Sequence, residues 1–191
     1  MLNRFSPSFS ALALSAAFFM SAASSAQTDI VPSVSQSSGV AQARPNDVRS
    51  IDGLMRAYYE VVSGPAGQAR DVARDRSLHH PDAQLMVPDR DADGRAVIRR
   101  MSVPEFHVWS APVYAPGFYE FETRREVRRY GSMYHVFSYY DTRRTPDGPS
   151  IGRGINSIQL YFDGSRFWIL SETWESESAS LPLPQQVPLV D

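Results

Sequence analysis

Residues 154–174, GINSIQLYFDGSRFWILSETW, decide the fold of this chain. Two runs rich in β-branched and aromatic residues flank Asp163-Gly164, a dipeptide typical of tight turns, so the stretch predicts a β-hairpin. Two polar residues, Asn156 and Glu172, interrupt the apolar pattern. A polar side chain on the apolar face of a sheet belongs either to a structural hydrogen-bond network or to the floor of a pocket.

The faces of this hairpin depend on the length of its turn. With a two-residue turn, Asn156 pairs with Ser171; with one more residue in the turn, it pairs with Glu172. Both registers place Asn156, Ile158 and Leu160 on one apolar side. We favour the second register, which makes Asn156 and Glu172 neighbours. The alternative is that Glu172 faces solvent on the outer side of the sheet and pairs with an arginine.

The chain upstream of this hairpin predicts three helices and more strands. Residues 51–62 carry apolar side chains at helical spacing after Ser50, a good helix cap. A second helix is predicted over residues 70–78. In SVPEF, Ser102 is a cap residue with Glu105 three positions later, which predicts a third helix. Strands are predicted over residues 83–87, 95–99, 118–129, 133–143, 151–162 and 166–175.

Helices and a short hairpin followed by four long strands are typical of the α+β class. Strands of about ten residues form a sheet that must bend to cover one long helix. A curved antiparallel sheet wrapped on about three helices makes a cone with one open end. We therefore expect a dry core at the closed end and a cavity at the wide end.

Four segments resemble bacterial members of the nuclear-transport-factor-2-like superfamily, of the SnoaL and ketosteroid isomerase type: the helix over 51–62, HPDA at 80–83, SVPEF at 102–106, and HVFSYYDTRR with GINSIQLYFDGSRFWI. The resemblance covers about residues 47–175 and implies a cystatin-like cone that forms homodimers through its outer face. It is specific for the fold only, because this fold hosts enzymes, binding modules and scaffolds. The enzymes among them, which include scytalone dehydratase and polyketide cyclases, place an aspartate or a His–Asp pair in the cone, and no motif here matches either.

Composition excludes several kinds of chemistry. The chain has 191 residues with a formal net charge of -2, which fits one ordinary domain and argues against a nucleic-acid partner. It contains no cysteine, so disulfides, thiolate nucleophiles and Cys-ligated zinc are excluded. Every basic side chain is arginine, which also excludes a Schiff-base lysine and a phosphate-loop lysine.

The N-terminus predicts export. Residues 1–26 combine Arg4, an apolar run over residues 11–20 and small residues up to Ala26, the pattern of a cleaved secretory signal peptide. The apolar run is too short to span a bilayer comfortably; the alternative is an uncleaved anchor. Residues 27–46 predict a flexible linker, residues 47–176 the folded domain and residues 177–191 a Pro-rich tail. We expect a periplasmic or secreted protein with no membrane span after cleavage.

Glu172 is the first candidate for proton transfer. A carboxylate beside Trp174 and away from water should have a raised pKa, which suits a general acid or base near neutral pH. His135 is the second candidate. A three-residue turn around Gly131 would place His135 inward, within reach of Arg125; the alternative is an inward histidine satisfied within the core.

The same register would bring Phe137, Tyr139 and Asp141 to the inner face with His135. The opposite face of the preceding strand carries charges of alternating sign and would form a solvated surface. These residues are Glu120, Glu122, Arg124, Glu126 and Arg128.

Two polar clusters are candidates for metal binding. Asp89, Asp91 and Asp93 in DRDADG match the first half of a calcium loop, but the twelfth position holds Arg100 where a bidentate carboxylate is needed. We favour a polar hairpin turn and keep a weak calcium site as the alternative.

His79, His80 and Asp82 are adjacent in sequence where a helix ends. Side chains of neighbouring residues in an extended chain diverge, so packing at the start of the strand is favoured over a metal site.

The predicted function is the binding of a small, largely apolar molecule in the cone. Cofactor-free proton transfer next to a carbonyl would be its chemistry, as an isomerase, dehydratase or cyclase, with Asn156 and a tyrosine donating hydrogen bonds to the oxyanion. The alternative is a non-catalytic envelope module whose cone is filled by aromatic side chains. The candidate ligand-binding residues are Tyr58, Trp109, Arg125, Tyr139, Asn156 and Trp174.

Overall fold

The computed structural model describes residues 42–188. The predicted signal peptide and all but the end of the predicted linker lie outside these residues. No helix within residues 42–188 is both long enough and apolar enough to cross a membrane.

The described part of the chain contains four helices and six strands in an α+β order. The helices are α1 (Pro45–Val48), α2 (Ile51–Val62), α3 (Val72–Leu78) and α4 (Val103–Tyr114). The strands are β1 (His79–Arg90), β2 (Ala96–Met101), β3 (Tyr119–Tyr130), β4 (Met133–Arg143), β5 (Ser150–Phe162) and β6 (Phe167–Ser176).

Side chains cap the two long helices as the sequence predicts. The Ser50 hydroxyl accepts a hydrogen bond from the Gly53 amide at 3.0 Å and starts α2. At the start of α4, the Glu105 carboxylate accepts from the Ser102 amide at 2.7 Å, which closes a capping box. Helix α3 is shorter than predicted and begins at the cap residue Asp71, whose carboxylate accepts from the Arg74 amide.

The six strands form one sheet in the order β2-β1-β6-β5-β4-β3. All neighbouring strands are antiparallel except β1 and β6, which pair in parallel. The expectation of a wholly antiparallel sheet was therefore wrong in this one pair. The long connection through β2, α4 and three further strands allows β6 to return beside β1 in the same direction.

Helix α2 packs on the inner face of the sheet and forms the main core with it. Leu54, Met55 and Val61 of the helix are fully buried, as are Val136 and Ile158 of the sheet. A second, smaller cluster lies under β1, β2 and α4, and two partly buried residues, Phe106 and Trp174, pack against both clusters. The core is therefore continuous along the inner face.

The β5–β6 hairpin has neither of the two predicted registers. Its turn holds four residues, because Phe162 pairs with Phe167, and a β-bulge at Leu170 shifts the register again. As a result Asn156 pairs with Trp174 rather than with Glu172. The prediction for the inner face is right, because Asn156 and its strand neighbours at 158 and 160 are all buried there.

The β3–β4 hairpin turns over two residues and not three. Tyr130 pairs with Met133, and Gly131 has a φ of 58°, in the left-handed region that tight turns require. This one-residue difference exchanges the two faces of β4. Val136, Ser138 and Tyr140 point inward. The prediction that His135, Phe137, Tyr139 and Asp141 face inward was therefore wrong.

A β-bulge at Thr123 exchanges the faces of β3 part-way along the strand. Glu122 pairs with Tyr140, whereas Arg124 pairs with Tyr139. Glu120 and Glu122 therefore share the inner face, and only Arg124, Glu126 and Arg128 keep the predicted outer face. The prediction that Glu120 and Glu122 belong to a solvated surface was wrong for this reason.

The C-terminal segment lies across the outer face of β3 and β4. The Arg124 guanidinium donates to the carbonyl oxygens of Pro184 and Gln185, and the Val187 amide donates to Glu126 at 3.1 Å. The same Arg124 guanidinium lies 3.6 Å from the centre of the Tyr139 ring, and Tyr139 is only 2% exposed. The tail therefore holds the side chain that covers this aromatic residue of the outer face.

Candidate functional site

A cavity of about 370 Å³ lies between α2, α4 and the inner face of the sheet. Seven aromatic side chains line it: Tyr58, Phe106, Trp109, Tyr114, Phe118, Tyr140 and Trp174. Its polar lining is Asp75, Ser110, Glu120, Thr142, Arg144, Asn156, Glu172 and Ser176.

The aromatic wall is held by ring-to-ring contacts. The Phe106 ring packs edge-on against Trp174 with 5.7 Å between centroids, and Trp109 lies 6.4 Å from Trp174. On the other side, Tyr114 contacts Phe118 at 5.1 Å. Such contacts fix the shape of the wall, so the cavity is formed before any ligand enters it.

A buried cluster of one aspartate and two histidines lies next to the cavity. Asp75 on α3 is hydrogen-bonded to Nε2 of His107 on α4, at 2.7 Å. His79 follows Asp75 by one helical turn and places its Nδ1 2.9 Å from the Asp75 carbonyl oxygen and 3.3 Å from its carboxylate. All three side chains are buried, so their charges must be balanced within the cluster.

The charges of this cluster follow from its contacts. Burial alone would lower the pKa of His79, but the carboxylates of Asp75 and Glu172 outweigh burial and raise it to about 9. Burial alone would raise the pKa of Asp75, but His79 and His107 lower it to about 2. His79 is therefore a cation and Asp75 an anion at neutral pH.

Glu172 joins the cluster to the cavity. Its Oε1 lies 3.9 Å from His79 Nε2, and its Oε2 is buried with no hydrogen-bond partner among residues 42–188. Burial raises the pKa of Glu172, while the charge of His79 opposes the rise. The phenol of Tyr58 lies beside the same carboxylate. Glu172 is thus a poorly solvated carboxylate that lines an accessible cavity.

Glu120 is a second carboxylate in the same cavity, with different surroundings. It is surrounded by protein but stays partly exposed through the cavity, and burial raises its pKa to about 8. Asn156 donates to it at 3.5 Å, which opposes the rise, whereas the nearby Glu172 adds to it. The charged group that acts on Glu120 is therefore Glu172, an anion, and not a cation.

A hydrogen-bond chain fixes the orientation of Asn156. The Ser138 hydroxyl donates to Glu122 at 2.5 Å, so the Tyr59 hydroxyl, 2.7 Å away, must donate to Ser138. The Tyr59 oxygen in turn accepts from Asn156 Nδ2 at 3.2 Å. Both amide hydrogens of Asn156 are thus directed to Tyr59 and Glu120. This leaves the carbonyl oxygen of Asn156 for a ligand, in place of the donor role expected from the sequence.

The structure brings together five of the eight site residues predicted from the sequence. Tyr58, Trp109, Asn156, Glu172 and Trp174 all line the cavity.

The other three lie elsewhere. His135 is on the outer face, where its Nε2 is 2.8 Å from the Ser157 hydroxyl, and Tyr139 is on the same face under the C-terminal segment. Arg125 faces inward but lies in a second groove between α2 and β3, 2.7 Å from Glu122; this groove shares Glu120 with the cavity. The predicted contact between His135 and Arg125 is therefore absent.

Sequence reasoning missed Asp75, His79, His107 and Glu120. Three of these carried a usable signal. Asp75 and His79 are four residues apart, which places them on one face of a helix that ends there. His107 shares the buried side of α4 with Val103, Ser110 and Tyr114 at i, i+4, i+7 spacing. Glu120 gave none, because its face depends on a bulge.

The aspartates of DRDADG lie in the hairpin between β1 and β2. Asp89 pairs with Arg99 at 2.6 Å, and Asp91 accepts from the amides of Asp93 and Arg95 at 2.9 Å. Their carboxylates are thus used within the turn. Across residues 42–188, no group of three or more His, Asp and Glu side chains is arranged to hold a metal ion.

No protein-family model and no curated protein matches the chain. Solved structures do. A protein of unknown function with a cystatin-like fold from Nostoc punctiforme matches with a TM-score of 0.50 at 13% identity, over 68% of this chain and 90% of that one. A nuclear-transport-factor-2-like protein of unknown function from Silicibacter pomeroyi (TM-score 0.45, 12% identity, 66% and 92%) and LinA (0.46, 10%, 70% and 90%) are also similar.

The arrangement of six strands around α2 agrees with the likeness to the Nostoc protein. At this level of identity the likeness shows the fold alone. The chain has a cystatin-like fold.

Proposed function

We propose that the cavity binds a small, largely apolar molecule and that Glu172 transfers a proton to or from it. The observation that carries this proposal is the 370 Å³ cavity that has aromatic walls and a buried carboxylate, with one oxygen unpartnered, in its lining. Ligand pockets fall in the range of about 300–1,000 Å³ and combine apolar walls with a few polar groups. The volume argues against the alternative of a cone filled by its own aromatic side chains.

The surroundings of Glu172 suit a general base. Burial raises its pKa, so its basicity exceeds that of an ordinary glutamate. The cationic His79 lies 3.9 Å away and keeps the ionised form accessible. Asp75 and His107 hold His79 in place and so act as positioning residues. Proton abstraction next to a carbonyl, as in isomerisation, dehydration or cyclisation, needs a base of this kind and no cofactor.

A thermal-shift screen tests the binding proposal. Steroids, polyketides, terpenoids and phenolics are added to the full chain, because a ligand that binds the native state raises the melting temperature. Ser110 is buried in the cavity wall, and Ser110→Phe should remove any shift by filling the space. Ser132→Phe, at an exposed turn, is the matched control and should keep the shift. Absence of a shift in the unsubstituted protein across the whole panel would refute the proposal.

The catalytic part of the proposal has its own test. With a ligand from that screen, exchange of the hydrogen next to its carbonyl is followed by NMR in deuterated water. Glu172→Gln should keep the thermal shift and slow the exchange by about 100-fold or more, as expected for loss of a general base. Glu175→Gln, on the exposed part of β6, should exchange at the original rate. Unchanged exchange in Glu172→Gln would exclude Glu172 as the base.

The predicted export and the predicted homodimer stay predictions. The signal peptide that would direct export, residues 1–26, lies outside the described residues.

A further inference from the structure

We propose that the ligand of this cavity is an organic cation, a largely apolar molecule whose protonated amine pairs with the carboxylate of Glu120. The inference rests on the proposed binding function of the cavity and assigns the chemical class of its ligand. It is drawn from the charges, the hydrogen-bond directions and the aromatic lining of the site.

The two glutamates of the cavity differ in their counter-charges. Glu172 has the cationic His79 at 3.9 Å. For Glu120, no arginine or histidine among residues 42–188 lies within salt-bridge distance, and its polar contact is the amide of Asn156. Arg144 lines the cavity but donates to the backbone carbonyl oxygens of Val113 and Gly117, at 2.9 and 3.1 Å. A cation supplied by the ligand would complete the pairing that the protein leaves open.

The hydrogen-bonding groups of the lining offer acceptors. Asn156 directs both amide hydrogens to protein oxygens, which leaves its carbonyl oxygen available. The hydroxyls of Ser110 and Thr142 donate to the backbone carbonyls of Phe106 and Gly152. A ligand that satisfies these groups must itself donate hydrogen bonds, as an ammonium does.

The aromatic wall favours a cation over a neutral donor such as an alcohol. Trp109, Tyr114 and Trp174 line the same space as Glu120. The face of an aromatic ring attracts a cation, and tryptophan does so most strongly. Aromatic faces and a carboxylate without a counter-ion together make a site for a molecule with an apolar body and one ammonium group.

The raised pKa of Glu120 also supports an ammonium ligand. Its pKa is raised to about 8 by burial and by the charge of Glu172. Tyr58 and Tyr59 of α2, Tyr114 of α4, Tyr140 of β4 and Glu172 of β6 face it, and none of these is a base that would be cationic. Glu120 also borders the groove that holds Arg56 and Arg125, but these two cations pair with other carboxylates: Arg125 with Glu122 and Asp52, and Arg56 with Glu60. An ammonium ligand would therefore displace a proton from Glu120 below pH 8, and its affinity should rise with pH.

Isothermal titration of the full chain with matched probes tests the proposal. The probes share one skeleton and differ in one group: tryptamine, its alcohol tryptophol, and indole-3-acetate; adamantan-1-amine and adamantan-1-ol form a second pair. At pH 8 each amine should bind about tenfold or more tightly than its alcohol, and the carboxylate should bind weakest. Between about pH 6 and 8 the amine affinity should increase by up to about tenfold per pH unit, while that of the alcohol stays constant.

A substitution links the preference to its residue. Glu120→Gln keeps the shape of the side chain but removes the charge, so the amine and its alcohol should bind within about twofold of each other. Glu175→Gln, outside the cavity, should keep the full preference and is the matched control. Circular dichroism and the retained affinity for the alcohol show that the variant is folded.

The outcomes separate this proposal from the proposed function. Equal or tighter binding of the alcohols or the carboxylate overturns the ammonium assignment alone and leaves a ligand-binding cavity. An amine preference that survives in Glu120→Gln overturns the role of Glu120. If none of the five probes binds, the assignment is also overturned, and the thermal-shift screen decides separately whether the cavity binds any ligand.

Discussion

Replacement of Asp75 by asparagine should destabilise the protein far more near pH 6 than near pH 10. Asp75 is buried, and its carboxylate, 3.3 Å from Nδ1 of His79, provides the negative charge that keeps His79 protonated. The same Nδ1 lies 2.9 Å from the backbone carbonyl oxygen of Asp75. It also accepts a 2.7 Å hydrogen bond from His107. Asparagine keeps the size of the side chain and removes the charge, so the substitution tests electrostatics rather than packing.

The size of the effect follows from linkage between protonation and folding. The pKa of His79 is about 9 in the folded protein, compared with 6.5 for a histidine without these contacts, as in the unfolded chain. The folded state therefore binds the proton more tightly than the unfolded state does. The resulting stabilisation is complete below pH 6.5 and is lost as the pH rises through 9. A difference of this size corresponds to about 3 kcal/mol. Asp75 itself, with a pKa of about 2, stays ionised throughout this range.

Urea unfolding of both proteins near pH 6 and near pH 10 measures the effect. The gap in unfolding free energy between the unsubstituted protein and Asp75→Asn should shrink by about 3 kcal/mol over this range. Glu120 titrates in both proteins, so its contribution largely cancels in the difference. Asp71→Asn is the control: asparagine caps a helix about as well as aspartate, and the exposed pair of Asp71 with Arg44 is weak, so the substitution should cost less than about 1 kcal/mol at both pH values. A gap for Asp75→Asn that does not change with pH would show that His79 is not a cation.

Three further predictions concern the surroundings of the site. Tyr59→Phe removes the hydroxyl that orients Asn156 and should cost about 1–3 kcal/mol in urea unfolding, because buried polar groups lose their partner. Arg74→Leu leaves the buried Asp47 without its bidentate partner and should cost about 3–5 kcal/mol, whereas Arg56→Leu, half-exposed, should cost about 0.5 kcal/mol; equal losses would contradict this difference. A chain that ends at residue 176 should expose Tyr139, and its nitration by tetranitromethane should become several-fold faster.

The sequence predicted which segments form helices and strands because the signals for these are local. Ser50 and Ser102 cap their helices as expected, and each of the last four strands lies within one residue of its predicted bounds. Apolar periodicity and cap residues act within a few positions of each other, so one sequence contains them fully. The parallel pair of β1 and β6 could not be predicted in this way, because it joins segments that are far apart in the chain.

The candidate site was only partly predictable, because its members are set by which face of a strand they occupy. Asn156 and Glu172 were recognised as polar residues in an apolar hairpin, and both line the cavity. His135 was assigned to the wrong face, because the turn at Gly131 is one residue shorter than assumed. In a strand, one residue of slip exchanges the two faces completely, so an error in turn length becomes an error in every side chain that follows.

Two β-bulges, at Thr123 and Leu170, bring the two cavity glutamates inward. If β3 continued without its bulge from the turn at Gly131, Phe121 would face Thr142 and Glu120 would lie outside. If β6 alternated strictly from Ile169, Ser171 would point inward and Glu172 outward. In each case the extra residue directs a carboxylate inward, in place of Phe121 in β3 and of Ser171 in β6, and burial raises the pKa of that carboxylate.

A fold that only needed a packed core would gain nothing from these exchanges, since burying a carboxylate costs free energy that packing does not return. Bulges are known to redirect side chains beside binding sites. Both bulges act on strands that border the same cavity, and both direct an acid into it. This coincidence favours a cavity shaped for a ligand over one left by imperfect packing, and it places the selective feature of the site in Glu120 and Glu172 rather than in its aromatic wall.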